Sequence, residues 1–139
     1  MCEQPPRPVV LAIDPGRAKC GVAIVARDGT VLHRAVIASE CLPAMASELV
    51  QRYSPVRCVL GDGTGCRLAE GSLAAAVPGV PICRVEESRT SEEARARYLR
   101  AKPARGLQRL IPRGLRAPVS PYDDVVAMIL AERWWAAQP

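Results

Sequence analysis

Acidic residues stand at three stations along this chain: Asp14, the Glu86-Glu87 pair and the Asp123-Asp124 pair. Asp14 closes the apolar run Val9-Val10-Leu11-Ala12-Ile13 and is followed by the turn signal Pro15-Gly16. Glu86 and Glu87 follow Ile82-Cys83-Arg84-Val85, and Asp123-Asp124 precede the apolar run from Val125 to Ala131. Taken singly, Asp14 is a turn-capping residue as readily as a ligand. Taken together, clustered carboxylates repel one another unless a divalent ion neutralises them. Oxygen donors without His or Cys suit hard cations, so the expected metal is Mg²⁺ or Mn²⁺. A pair of such ions can activate water and stabilise a leaving oxygen in phosphodiester hydrolysis.

The elements that must position these acids follow from periodicity and turn chemistry. The apolar run before Asp14 reads as a strand buried on both faces. Gly21-Val22-Ala23-Ile24-Val25 returns beside it as a hairpin partner, and Asp28-Gly29 turns the chain into a third strand over residues 30–37. Residues 43–53 carry Met45, Leu49, Val50 and Tyr53 at helical spacing, and Pro55 stops that helix. A fourth strand over 56–60 enters Gly61-Asp62-Gly63-Thr64-Gly65, whose glycines allow close approach of backbone amides to phosphate. A helix over 66–77 ends at Pro78-Gly79, and a fifth strand, shortened by Pro81, leads to Glu86 and Glu87. Thr90 and Glu93 form a capping box for a further helix, so Glu92 and Glu93 are first-turn helix charges. The last helix runs over 125–136 and is apolar all round at its start, so it must pack on more than one neighbour. Trp134-Trp135 either closes the core edge, the favoured reading, or stacks on a base, and His33 is an exposed strand residue with no role.

If strands one, four and five are parallel, their C-terminal ends share one rim, and a βαβ crossover between four and five favours that. Asp14 and Glu87 then lie on one side of the sheet, and the last helix can bring Asp123 or Asp124 to meet them.

The bulk properties limit the alternatives. A chain of 139 residues holds one domain with a real core. We expect a flexible tail over 1–8 and a single domain over 9–136, with 103–120 as a mobile basic loop. The proline-rich start lacks an apolar signal core, and no run approaches membrane-spanning length, so a cytoplasmic protein without a membrane partner is expected. Cys2, Cys20, Cys41, Cys58, Cys66 and Cys83 form no C-x-x-C pair and there is one histidine, which argues against zinc. Cys58 and Cys83 read as reduced core thiols. The net charge is +5, and between Arg89 and Arg116 nine Arg/Lys face two acids. Such a basic sector suits a polyanion. Lys19, Gly63, Thr64, Arg89, Arg95, Arg105, Arg109, Arg113 and Arg116 are the candidate nucleic-acid contacts.

Ile13-Asp14-Pro15-Gly16, with Gly21 five residues on, resembles the first motif of the RuvC/YqgF group of RNase H-like nucleases. Glu86-Glu87-Ser88-Arg89-Thr90-Ser91 is similar to the Asp-Glu-Arg motif of the YqgF/RuvX family, associated with pre-16S rRNA maturation. Ser88 stands where that family carries Arg. The Asp before an Ala-rich helix is similar to Asp123-Asp124-Val125-Val126-Ala127. Counting back from the terminal aromatics favours Asp123, whereas the RuvC pattern favours Asp124, and both are retained. The resemblance implies an α/β, RNase H-like mixed five-stranded sheet, three strands antiparallel and then parallel ones, with helices on both faces. It places catalytic metal ligands at Asp14, Glu87 and Asp123 or Asp124. It implies a metal-dependent nuclease acting on structured nucleic acid, with an rRNA precursor preferred over DNA, as a monomer or homodimer. The alternatives are a RuvC-like DNA nuclease, whether a junction resolvase or a single-strand nuclease, and a non-catalytic nucleic-acid-binding domain.

Overall fold

The structure is a computed structural model that describes residues 7–63, 65–86, 96 and 123–139, Asp123 by its backbone alone. Five strands form one mixed sheet in the order β3-β2-β1-β4-β5. They are β1 (Val9–Asp14), β2 (Lys19–Ala26), β3 (Val31–Ala38), β4 (Arg57–Gly61) and β5 (Ile82–Val85). The three helices described are α1 (Leu42–Tyr53), α2 (Cys66–Ala76) and α3 (Asp123–Ala136), and a short 3-10 turn, Ser39–Cys41, leads into α1. The capping-box helix expected from Thr90, with Glu92 and Glu93, and the basic loop over 103–120 lie outside the described residues.

The hairpin forms as its turn chemistry predicts. β1 and β2 pair antiparallel with Asp14 opposite Gly21, and β2 and β3 pair antiparallel across the Asp28-Gly29 turn. Gly29 takes φ +92°, and the Asp28 carboxylate accepts from the Thr30 amide at 2.9 Å. Hydrogen bonding from Thr30, through its side chain first and its amide second, holds the Asp28 carboxyl below its ordinary range, ahead of nearby Arg7. β2 extends two residues earlier than the apolar pattern suggests, because exposed Lys19 still pairs with Ala38. Proline keeps residues 80 and 81 out of β5, although the Pro81 carbonyl still accepts from the Cys58 amide at 2.8 Å.

Alternation along the strands divides the core in two. Val9, Leu11 and Ile13 of β1 face α1 and α2, together with Val22, Ile24, Leu60, Leu49 and Leu73. Val10 and Ala12 face α3, together with Ala23, Val25, Val59, Ile129 and Leu130. β1 is therefore covered on both sides, which explains a strand apolar at five consecutive positions. α3 lies against β1 and β2, and its Trp135 indole donates to the Val25 carbonyl at 3.1 Å. Trp134 and Trp135 pack edge to face, with centroids 4.8 Å apart, against this second core, as the closing pair expected there. No described helix is long and apolar enough to cross a membrane.

His33 departs from its sequence reading. It is half-buried, with Nε2 inaccessible and lacking a hydrogen-bond partner, and its ring lies 6.4 Å from that of Tyr53. The register shift between Ile24 and Val25 sets His33 opposite Ile24, which faces the α1 side of the sheet.

Cys20, Cys41, Cys58, Cys66 and Cys83 are free thiols. Burial, and then nearby Cys83, pushes the Cys58 thiol up to about 12 from 9.0. Native protein pulsed with iodoacetamide at pH 8 should be alkylated at exposed Cys41 and spared at Cys58, as read by peptide mass spectrometry. Because the folded state keeps this proton longer than the unfolded chain, stability should fall as pH rises from about 9 towards 12. The slope from this group is at most about 1.4 kcal/mol per pH unit, and Cys58→Ala should remove it.

Candidate metal and nucleic-acid site

Asp14 is the point where a fully covered strand reaches the sheet rim. Val9 to Ile13 are buried and Asp14 is half-buried. Val10 and Ala12 face α3, so a continuing strand turns Asp14 to the same side. The turn that follows is held from behind. The Ser39 hydroxyl donates to the Gly16 carbonyl at 2.8 Å, and the Ser39 amide donates to the Ala18 carbonyl at 2.9 Å. Any Cβ on Gly16 would collide with the Lys19 carbonyl oxygen, so the turn is closed too tightly for a side chain there.

The parallel strands then share that rim. β4 runs parallel to β1, with Leu60 opposite Ile13, and β5 runs parallel to β4, with Val85 opposite Gly61. The Asp62 amide donates to the Val85 carbonyl at 3.1 Å, tying the two strand ends together. Asp62 and Glu86 are both exposed one residue past their strands. Asp62 is an acid at the Asp14 rim that the sequence reading absorbed into a glycine-rich loop. Its signal was present, namely a carboxylate directly after a strand adjacent to β1. Glu87 lies outside the described residues.

On the α3 side, the helix starts at Asp123, two residues before the expected position. Asp124 Oδ1 accepts from the Val125 amide at 2.9 Å, and Oδ2 lies 3.7 Å from Arg34 Nε. The Asp124 side chain is 17% exposed and that of Arg34 51% exposed. Arg34 also reaches Met128 Sδ at 3.7 Å, bracing the first turn of α3. Arg34 pairs with Ala23, which pairs with Ala12, so its row is two residues short of the Asp14 row. At ordinary spacings that is about 7 Å along the sheet and about 10 Å across it. Asp124 is thus tethered on the β3 side of the rim. Among the described residues, no three or more His, Cys, Asp or Glu side chains gather into a group that could hold a metal ion. An Arg34→Gln and Asp124→Asn double-mutant cycle, followed by urea unfolding, should give a coupling of up to about 1 kcal/mol, as for a partly exposed pair.

Of the candidate phosphate contacts, Lys19 is exposed at the start of β2 and Gly63 is half-buried in the β4–α2 loop. Arg17, which the sequence reading passed over, is exposed in the turn beside Lys19. Gly65 takes φ +86° as the N-cap of α2, where no side chain caps the free amides. Thr64, Arg89, Arg95, Arg105, Arg109, Arg113 and Arg116 lie outside the described residues.

Thermus thermophilus RuvC matches with a TM-score of 0.60 at 19% identity, over 92% of this chain and 95% of that one. The chain has the RuvC-type RNase H-like fold. A second structure, T. thermophilus RuvC in complex with a Holliday junction substrate, matches at a TM-score of 0.55 and 22% identity. That match covers 89% of this chain and 90% of the other. No protein-family model matches the sequence, and no curated protein matches it. At these identities the likeness to RuvC establishes the fold of the chain.

Proposed function

We propose that this protein is a divalent-metal-dependent nuclease that hydrolyses phosphodiester bonds in structured nucleic acid, and that it acts in rRNA-precursor processing as a YqgF/RuvX-type enzyme. The observation that carries this reading is the half-buried Asp14 at the end of a doubly covered strand, on the α3 side of the rim shared by β1, β4 and β5. Exposed Arg17 and Lys19 stand in the same turn region, where they would meet phosphate. Asp14, Glu87 and Asp123 or Asp124 offer carboxylate oxygens alone, a donor set suited to Mg²⁺ or Mn²⁺. Such ions, when bound, supply water activation and stabilisation of the leaving oxygen. The protein's own part is to present those oxygens on a rigid rim and to neutralise the backbone with Arg17, Lys19, Arg89 and the basic sector to Arg116.

A second reading is supported by a specific observation: one of the matching folds is that of a RuvC bound to a Holliday junction substrate. In that reading the same rim cuts DNA, as a homodimer making two incisions at a junction.

The test is cleavage of matched end-labelled substrates: an rRNA-precursor stem with single-stranded flanks, single-stranded DNA, and a four-way DNA junction. Each is incubated with Mn²⁺, Mg²⁺ or chelator. We expect metal-dependent cutting with the RNA stem preferred. Preference for the junction, with paired cuts, would select the second reading. Binding without turnover on any substrate would leave a nucleic-acid-binding domain.

A further inference from the structure

On the opposite side of the Asp14 turn from α3, a cavity of about 310 Å³ opens between the β1–β2 turn, the start of α1 and the first turns of α2. Its walls include Pro15, Leu42, Leu68 and Ala69, and Arg17, Glu40 and Ser72 also line it. Leu68 is 82% exposed, a large aliphatic side chain turned to solvent beside an otherwise well-covered core. Single exposed aliphatics are common; one that walls a cavity with charged and hydroxyl groups nearby has the composition of a small-ligand site.

Resting on the nuclease reading above, we propose that this cavity is a nucleobase subsite. It would receive one unpaired base of the substrate strand, next to the phosphate presented at Asp14. Three features support that occupant over other small molecules. The volume sits at the lower end of ligand sites, room for a base together with part of its sugar. Exposed Leu68 offers apolar surface for one face of a flat ring, with buried Pro15 at the cavity wall, and Glu40, Ser72 and Arg17 line the same cavity with an acceptor, a hydroxyl and donors suited to its edges. The cavity also shares Pro15, Gly16 and Arg17 with the turn that follows Asp14, so a strand held at Asp14 on the α3 side reaches it by passing over that one turn. A base inside a duplex cannot enter such a pocket without leaving the stack. The substrate class that follows is a strand splayed or single-stranded beside the cut.

The test uses 2-aminopurine, whose fluorescence reports its stacking, stepped one position at a time along either a splayed or a fully paired substrate. Binding is followed in chelator, so the readout does not depend on catalysis. Wild type should change the fluorescence of the splayed substrate at one position and leave the paired substrate unchanged. Ser72→Trp, which fills the cavity, should abolish that change and weaken splayed-substrate binding about tenfold, with paired-substrate binding unaltered. Leu68→Asp, at the surface and therefore easy on folding, should weaken splayed binding in the same selective way. Circular dichroism and thermal melts establish that both variants are folded. An unchanged fluorescence response in folded Ser72→Trp, or equal loss on both substrates, would overturn the subsite. Adenosine monophosphate competing as well as the strand itself would also overturn it, in favour of a free-nucleotide site. Absence of metal-dependent cleavage with the fluorescence response intact would instead remove the nuclease reading and leave the base subsite standing.

Discussion

Asp14→Asn is expected to lower metal-dependent cleavage by about a thousandfold or more while leaving nucleic-acid binding in chelator within a fewfold of wild type. The size follows from the role proposed for Asp14. A carboxylate that holds the cation at the reacting phosphate contributes to the transition state, and its loss appears in turnover more than in ground-state binding. The binding arm follows from charge. Arg17 and Lys19 remain beside the turn, and removing a negative charge from a phosphate-binding rim does not repel the strand. Single-turnover cleavage and filter binding on one protein preparation separate the two effects. Equal losses in binding and cleavage would mean that Asp14 shapes the rim and does no chemistry.

Gly16→Ala should cost about 2–3 kcal/mol of stability, the range for forcing extra atoms into a closed site. The added Cβ meets the Lys19 carbonyl, a backbone atom at a position paired with Ala38 of β3, and no rotamer change relieves it. Relief requires the turn to open, which loosens the Ser39 hydroxyl bond to the Gly16 carbonyl and displaces Asp14 with it. Cleavage should therefore fall together with the urea midpoint. Gly71→Ala is the matched control. Gly71 is exposed within α2 and a Cβ there meets nothing within 4 Å, so the exchange should stabilise by up to about 1 kcal/mol. If the two variants melt alike, the tight turn after Asp14 is not what holds this rim.

Much of this arrangement is legible from residue types because it is local. Asp28-Gly29 sets the β2–β3 turn, Pro55 lies just beyond α1, and the five-residue apolar run before Asp14 reports a strand covered on both faces. The shared rim of β1, β4 and β5 follows from one crossover rule. What escaped depends on contacts between distant segments. Arg34 and Asp124 are ninety positions apart, and no spacing rule joins a residue on β3 to the first turn of the last helix. The half-burial of His33 goes with a register shift between β2 and β3, where Leu32 is passed over, that leaves no composition signal. The cavity beside Leu68 arises where three elements meet, and from sequence Leu68 reads as one more apolar residue of an Ala-rich helix. Asp62 is different, since a carboxylate directly after β4 is visible in the sequence, set among glycines whose backbone freedom is the stronger local signal.

Asp14 and Glu87 are proposed to share one divalent cation. Mn²⁺ binding to the full-length protein, followed by electron paramagnetic resonance of the free ion, tests it without any substrate. Wild type should take up Mn²⁺ saturably, and Asp14→Asn and Glu87→Gln should each weaken that uptake at least tenfold while remaining folded by circular dichroism. Uptake unchanged in both variants, or absent from folded wild type, would contradict the account.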